Sequence, residues 1–317
     1  MKRKETVRKI CILLALVLCL SAFVSCGSKE TAGSSGEETV SLSMSQAAEM
    51  ANRSSSLWEM MANMFPNYIV YKGVAGGYTF SAVDKDLPLN PYDWSDLSKA
   101  LRGIDVSAYQ GTIDWLKVSA SDVDFAFIRV GYRGYGTGKL TLDEKFDYNA
   151  SSAIKARVPV GVYFVTTAIT EEEAVEEAEW VLEQISPYKI TWPVVIDVEA
   201  TGSADGRSNN LNAQARTKIV KAFCDTVKDA GYTPMIYSNI GWFMDQMDLT
   251  ELTDYDKWFA QYFNQPHFPY AMQVWQAGDD GTVNGIKVNV DINYSMFDYS
   301  TGSHMQDVGS GSSANGK

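Results

Sequence analysis

The chain has 317 residues, enough for one large α/β barrel or two average domains. Its net charge is −12, and residues 1–25 carry five basic side chains against Glu5, a net +4, so the remainder stands near −16. A polyanion of that size is repelled by phosphate backbones, which argues against a nucleic-acid partner.

The first expected element is an export signal over residues 1–25. A basic start (Lys2 to Lys9) precedes an apolar run from Ile10 to Val24, about 15 residues, short for a membrane span and right for a signal core. It ends Phe23-Val24-Ser25-Cys26-Gly27. A small residue before Cys at that point resembles a bacterial lipobox. It implies cleavage before Cys26, a lipid on the Cys26 thiol, and a mature chain held on the outer face of the cell membrane. Plain secretion with cleavage nearby is the alternative.

Residues 26–43 read as a flexible polar tether. Residues 44–98 form an extension that either packs on the main domain or acts as a spacer. Within it, 44–65 fits a helix with Met50, Leu57, Met60, Met61 and Met64 on one side. Residues 68–83 alternate around Gly73 and Gly76-Gly77, which suggests a hairpin.

From Leu101 the texture changes, and 99–300 reads as one domain. Eight short apolar runs follow: 103–107, 125–131, 158–166, 192–199, 233–238, 258–262, 272–276 and 288–294. Helices fit between most of the early ones. The clearest starts at Thr170, where Thr170-Glu-Glu-Glu173 is a capping box and Ala174, Ala178, Val181, Leu182 and Ile185 follow at helical spacing. Another spans about 213–230, with Ile219, Val220, Phe223 and Val227 on one face and Gly231 as its stop. The last runs lie too close together for full helices. Eight strands and about five helices argue an α/β fold, a TIM-like closed parallel (β/α) barrel with an irregular final third. Residues 301–317 are Gly/Ser-rich and read as a disordered tail.

Cysteine and histidine narrow the chemistry. Cys11 and Cys19 lie in the signal, and Cys224 sits at i+4 from Val220 on an apolar helix face, the place of a core thiol. Two histidines, His267 and His304, do not assemble a His-based zinc site or a Ser-His-Asp triad. No cofactor or metal is called for.

The stretch Trp192-Pro-Val-Val-Ile-Asp-Val-Glu199 carries the strongest chemical signal. Its β-branched run reads as a strand buried on both faces. Asp197 and Glu199 arrive at its C-terminal end, two apart and therefore on one face. Two acids there are costly to keep for stability alone. They fit a general acid and a partner, or else a strand end with two solvated acids.

In such a barrel the active site lies at the C-terminal strand ends. Run one supplies Asp105 there and run eight supplies Asp291, and strands one and eight are neighbours in a closed barrel. Four converging carboxylates raise at least one pKa by burial and repulsion, which suits the proton donor of a glycosidase. Aromatics at strand ends, Tyr109, Tyr163, Tyr237 and Trp275, are candidates to stack on sugar rings. Tyr132 and Tyr262 also sit at strand ends, and for these two barrel-top packing is the preferred reading.

Taken in order, Gly103-Ile-Asp105-Val-Ser-Ala-Tyr-Gln110-Gly, Phe125-Ala-Phe-Ile-Arg129, Gly161-Val-Tyr163-Phe, Asp197-Val-Glu199, Trp275-Gln276 and Asp291-Ile-Asn293 resemble glycoside hydrolase family 25, the lysozymes of the Chalaropsis type. The resemblance covers about 101–298. It implies a flattened eight-stranded barrel and cleavage of the β-1,4 bond from N-acetylmuramic acid to N-acetylglucosamine in peptidoglycan strands. It implies Glu199 as general acid and Asp197 as the group that stabilises charge or orients the substrate N-acetyl group. Asp105 and Asp291 are then flanking carboxylates that tune and position. Apart from the resemblance, a monomer is expected. Strand spacing leaves retention, inversion and N-acetyl participation all open. Two other readings stand beside it: a non-catalytic peptidoglycan-binding lipoprotein on the same barrel, and a hydrolase in which the four acids hold a hard cation.

Overall fold

The computed structural model describes residues 67–72, 78–306 and 308. The expected signal, tether, Cys26 and 44–65 helix lie outside these residues. The expected hairpin is present as β1 (Tyr68–Lys72) paired antiparallel with β2 (Tyr78–Ala82).

Eight strands then close into a barrel: β3 (Leu101–Val106), β4 (Phe125–Arg133), β6 (Val160–Val165), β7 (Val194–Asp197), β8 (Pro234–Asn239), β9 (Asp256–Ala260), β10 (Val274–Gly281) and β11 (Val290–Ser295). Closure comes from β3, which pairs with both β4 and β11. A short β5 (Leu140–Leu142) folds back antiparallel on the end of β4. Each of the eight apolar runs coincides with one barrel strand.

One feature departs from the sequence expectation. The barrel is not wholly parallel, because β11 runs antiparallel to both β10 and β3. Only residues 282–289 link β10 to β11. A parallel return needs a crossover of a dozen or more residues, whereas a short link reverses the chain.

Five helices cover the barrel: α1 (Trp115–Val118), α2 (Phe146–Lys155), α3 (Glu171–Ile185), α4 (Ala213–Asp229) and α5 (Ile240–Asp245). In α3 the Thr170 hydroxyl accepts the Glu173 N–H at 3.2 Å, as the capping box predicts. The Glu173 carboxylate instead accepts from Ile169 N–H at 2.9 Å, one residue further out, and also pairs with Arg207. The apolar face of α4 is buried, and Cys224 is a core thiol whose pKa is driven up by burial.

The barrel interior is filled by side chains. Phe125, Phe127, Trp192, Val195, Met235, Trp258 and Val274 pack in one cluster. Trp192 stacks on Phe125 at 3.9 Å and Trp258 on Phe127 at 4.5 Å. Two glycines make this filling fit. A Cβ on Gly103 would lie 2.3 Å from the Phe125 ring, and one on Gly161 would lie 2.5 Å from the Phe127 ring. Behind Trp192 the Tyr299 ring closes the end of the barrel opposite the strand C-termini at 5.2 Å.

The described residues 67–72 and 78–100 pack on the barrel rather than standing off as a spacer. Asn90 N–H donates to Pro269 O, and Ala271 N–H donates to Pro88 O, each at 2.8 Å. The Trp94 ring meets Trp275 edge-on at 6.2 Å. The Tyr92 hydroxyl lies 2.8 Å from His304 Nδ1. His304 belongs to a small hairpin, β12 (Phe297–Asp298) with β13 (Ser303–His304), so residues 301–306 are not a structureless tail. Gln306 donates to the Asp93 carbonyl at 2.8 Å. These partners lie more than two hundred residues upstream, where local composition carries no sign of them. Replacing Trp94 with Ala removes a buried ring from this seam. We expect a loss of about 3 kcal/mol in urea unfolding, within a single cooperative transition.

Candidate active site

The site is built at the C-terminal ends of the parallel strands. Asp105 lies near the end of β3, directly opposite Asp291 in the antiparallel register with β11. Asp197 is the last residue of β7. Glu199 follows two residues on, on the same face. Its backbone is set by β8: Val198 N–H donates to Tyr237 O at 3.0 Å, and the buried Ser238 hydroxyl donates to Val198 O at 2.6 Å. Asp105 and Asp197 are buried, at 7% and 5% exposure, whereas Glu199 reaches the mouth and Asp291 is half-buried.

A hydrogen-bonded chain organises Asp105. Its Oδ2 accepts from Asn293 Nδ2 at 2.8 Å and from Gln276 Nε2 at 2.9 Å. Trp258 Nε1 donates to Asn293 Oδ1 at 2.7 Å, which turns that amide's nitrogen toward Asp105. Gln276 Oε1 accepts the Tyr237 hydroxyl at 2.8 Å and the Tyr262 hydroxyl at 3.1 Å. The rings of Tyr237 and Tyr163 meet Trp258 edge-on at 4.6 and 6.0 Å. Polar contacts at the mouth therefore rest on the aromatic plug beneath.

Electrostatics separate the four acids by environment. Burial, then the Asp291 charge, push Asp105 up to about 7 against the pull of its two amide donors. Asp197 is raised well above the usual carboxylate range by burial, then by Glu199 and Asp105, and Arg129 opposes this. Its Oδ1 is buried without a hydrogen-bond partner among the described residues, which favours a proton there. Glu199 is raised by loss of water in the crowded cleft and then by Asp291. Asp291 is pushed up to about 6, chiefly by burial. Such a cluster titrates as a unit and keeps protons near neutral pH. Burial also keeps the Tyr163 and Tyr237 hydroxyls protonated, as donors toward the cleft.

Of the sequence-named aromatics, Tyr163 and Tyr237 stand beside the acids. Tyr109 is 78% exposed, on the turn that follows β3. Trp275 does not join them. It is 1% exposed, donates Nε1 to Gln261 O at 2.8 Å, and packs under Trp94 on the outside of the barrel. Alternation on β10 turns its neighbour Gln276 inward instead. Gln276, Asn293, Trp258 and Ser238 are site residues that sequence reading left without a role. For Asn293 a signal existed, since it lies two residues from Asp291 and shares its face. Among the described residues no group of His, Cys, Asp and Glu forms a metal-binding cluster.

The raised carboxylates have a consequence for stability. A pKa raised on folding means the folded state binds protons more tightly between the unfolded value near 4 and the folded one. The stability contributed is full below the unfolded pKa and is lost as pH rises through the folded pKa. For Asp105 the window runs from the ordinary aspartate value of 3.8 to about 7. Melting temperature should therefore fall between pH 4 and pH 7.5, and the fall should be smaller in Asp105→Asn, as read by differential scanning calorimetry.

Comparison with known proteins agrees with this geometry. The family model for glycosyl hydrolases family 25 matches residues 104–286. An autolytic lysozyme of Clostridium acetobutylicum is 26% identical over 195 residues, 61% of this chain and 55% of that protein. The chain thus spans about half the length of that relative. In three dimensions the chain resembles the modular autolysin LytC of Streptococcus pneumoniae, solved with a synthetic peptidoglycan ligand. The TM-score is 0.56 and the identity 22%, over 72% of this chain and 56% of that one. It also resembles a family 25 glycosyl hydrolase of Bacillus anthracis, with TM-score 0.52 and 24% identity over 62% of this chain and 89% of that one. At these identities the structural likeness is one of fold, and the sequence match over residues 104–286 makes the chain a member of glycosyl hydrolase family 25.

Proposed function

We propose that the protein is a peptidoglycan muramidase that hydrolyses the β-1,4 bond between N-acetylmuramic acid and N-acetylglucosamine. The observation that carries this reading is the pair at the end of β7, Asp197 buried and Glu199 at the mouth, both raised toward neutrality among two further carboxylates. Glu199 gives its proton to the glycosidic oxygen as the bond to the anomeric carbon breaks. Asp197 faces the positive charge that develops on the sugar ring, or orients the substrate N-acetyl group. Water then supplies hydroxide to the anomeric carbon and returns the proton to Glu199. Burial and the Asp291 charge help keep Glu199 protonated, and Asp105 flanks the pair. Tyr109, Tyr163 and Tyr237 offer rings and hydroxyls to the glycan. The similarity to an autolytic lysozyme supports the substrate class.

For location we propose export and a lipid on Cys26, resting on the signal-like residues 1–25 and the Ser25-Cys26-Gly27 junction. Among the described residues no helix is long and apolar enough to cross a membrane.

Replacing Glu199 with Gln should cut reducing-sugar release from purified cell walls by at least about a hundredfold, with the melting curve kept. Wild-type activity should decline as pH rises past the raised Glu199 pKa, because deprotonation removes the acid. Full activity in the Gln variant would show that another residue is the donor. Labelled palmitate should enter the wild-type chain in a bacterial host and be absent from Cys26→Ser; equal labelling of both would place the lipid elsewhere.

A further inference from the structure

A β-bulge on β4 lies beside the site and has no part in the chemistry above. The register with β6 pairs Arg129 with Tyr163 and then Gly131 with Phe164, leaving Val130 as the extra residue. Up to the bulge, Phe125, Phe127 and Arg129 face the barrel interior. Beyond it the phase is reversed. Tyr132 now pairs with Val165, whose other neighbour is Asp197, and turns toward the cleft. Arg133 turns outward to Glu177 of α3, with Nε to Oε1 at 2.7 Å. A bulge is a means of re-aiming a side chain next to a site. Gly131 permits it, since an added Cβ would lie 2.2 Å from the Thr141 carbonyl oxygen on β5.

The Tyr132 ring is positioned but not covered. It is 38% exposed, and the Arg129 guanidinium lies 5.8 Å from its centroid. That guanidinium is itself fixed, with Nε and Nη2 each 2.8 Å from Asp143 Oδ2. The same carboxylate oxygen accepts Ala108 N–H at 3.0 Å, on the turn that carries the exposed Tyr109. One buried carboxylate, Asp143, therefore holds two exposed rings at the tops of adjacent strands. Tyr132 stands two strand spacings from Asp197, roughly 10 Å. That is beyond the sugar at the cleaved bond.

From this geometry we infer a distal sugar subsite in which Tyr132, backed by Arg129 and Asp143, stacks on a pyranose ring remote from the cleaved bond, with Tyr109 beside it. The occupant rests on the muramidase reading. The subsite makes the protein selective for longer glycan strands, because the stacked sugar adds affinity without touching the reacting atoms.

The test is calorimetric titration of the full chain carrying Glu199→Gln, alone and combined with Tyr132→Ala or Tyr132→Phe. The probes are un-cross-linked strands of alternating N-acetylglucosamine and N-acetylmuramic acid, of two and of six sugar units. Tyr132→Ala should weaken binding of the longer strand about tenfold and shrink the ratio of long- to short-strand affinity by the same factor. Tyr132→Phe, which keeps the ring, should restore both. Unchanged long-strand affinity in the Ala variant, or an equal loss for both lengths, would overturn the subsite alone. No binding of either strand by Glu199→Gln would overturn it together with the glycan reading. Binding that follows the expected pattern, with no muropeptides released by the wild type, would sink only the hydrolytic step.

Discussion

Asp105 is the group on which the mouth of the barrel depends. A carboxylate buried beside Asp291 and within the field of Glu199 is expensive to desolvate. Two side-chain amides meet the cost by donating to the same oxygen, and each amide is held by an aromatic donor behind it. Residues of β3, β8, β9, β10 and β11 thus form one connected chain. A slip of one residue in any of these strands would turn its member away from the site. The acid cluster is affordable only because the register of half the barrel is locked.

The reversed β11 serves the same end. Running antiparallel, it brings its first residues, Val290 and Asp291, to the mouth where the parallel strands finish. A parallel strand with the same sequence would begin at the opposite end of the barrel and carry Asp291 away from Asp105. Below the acids, the stacked rings of Phe125, Trp192, Phe127 and Trp258 exclude water. This apolar floor is why burial is the largest influence on every raised carboxylate at the mouth.

Around the cleft, charge is spent on geometry rather than on stability. Arg133 with Glu177 ties β4 to α3, Arg207 with Glu173 ties the loop after β7 to α3, and Arg129 with Asp143 ties the end of the β4–β5 hairpin to the barrel. Glu177 is buried and pushed up to about 7, so its pairing offsets desolvation more than it stabilises the fold. What these pairs fix is the wall formed by the β4–β5 hairpin and the loop after β7. Residues 84–100 brace the other side, through Trp94 against Trp275 and Tyr92 against His304.

Much of this was legible in the residues themselves. Short apolar runs and period-3.6 patterns located eight strands and the long helices α3 and α4, because burial of a whole strand or of a helix stripe leaves a local record. The alternation of Asp197 and Glu199, and the seam between first and last strands, are readable in the sequence and point to four acids lying together. Other features leave no such record. Trp275 and Gln276 are adjacent, and only the outer cover of Trp94 decides which one faces the site. The bulge that turns Tyr132, and the packing of the 303–304 hairpin against Tyr92, depend on partners far away in the chain. Sequence alone determined which residue types could do acid chemistry and on which elements they ride. Tertiary structure decided which of them meet, since pairing across a closed barrel is set by register and strand direction, which local pattern does not encode.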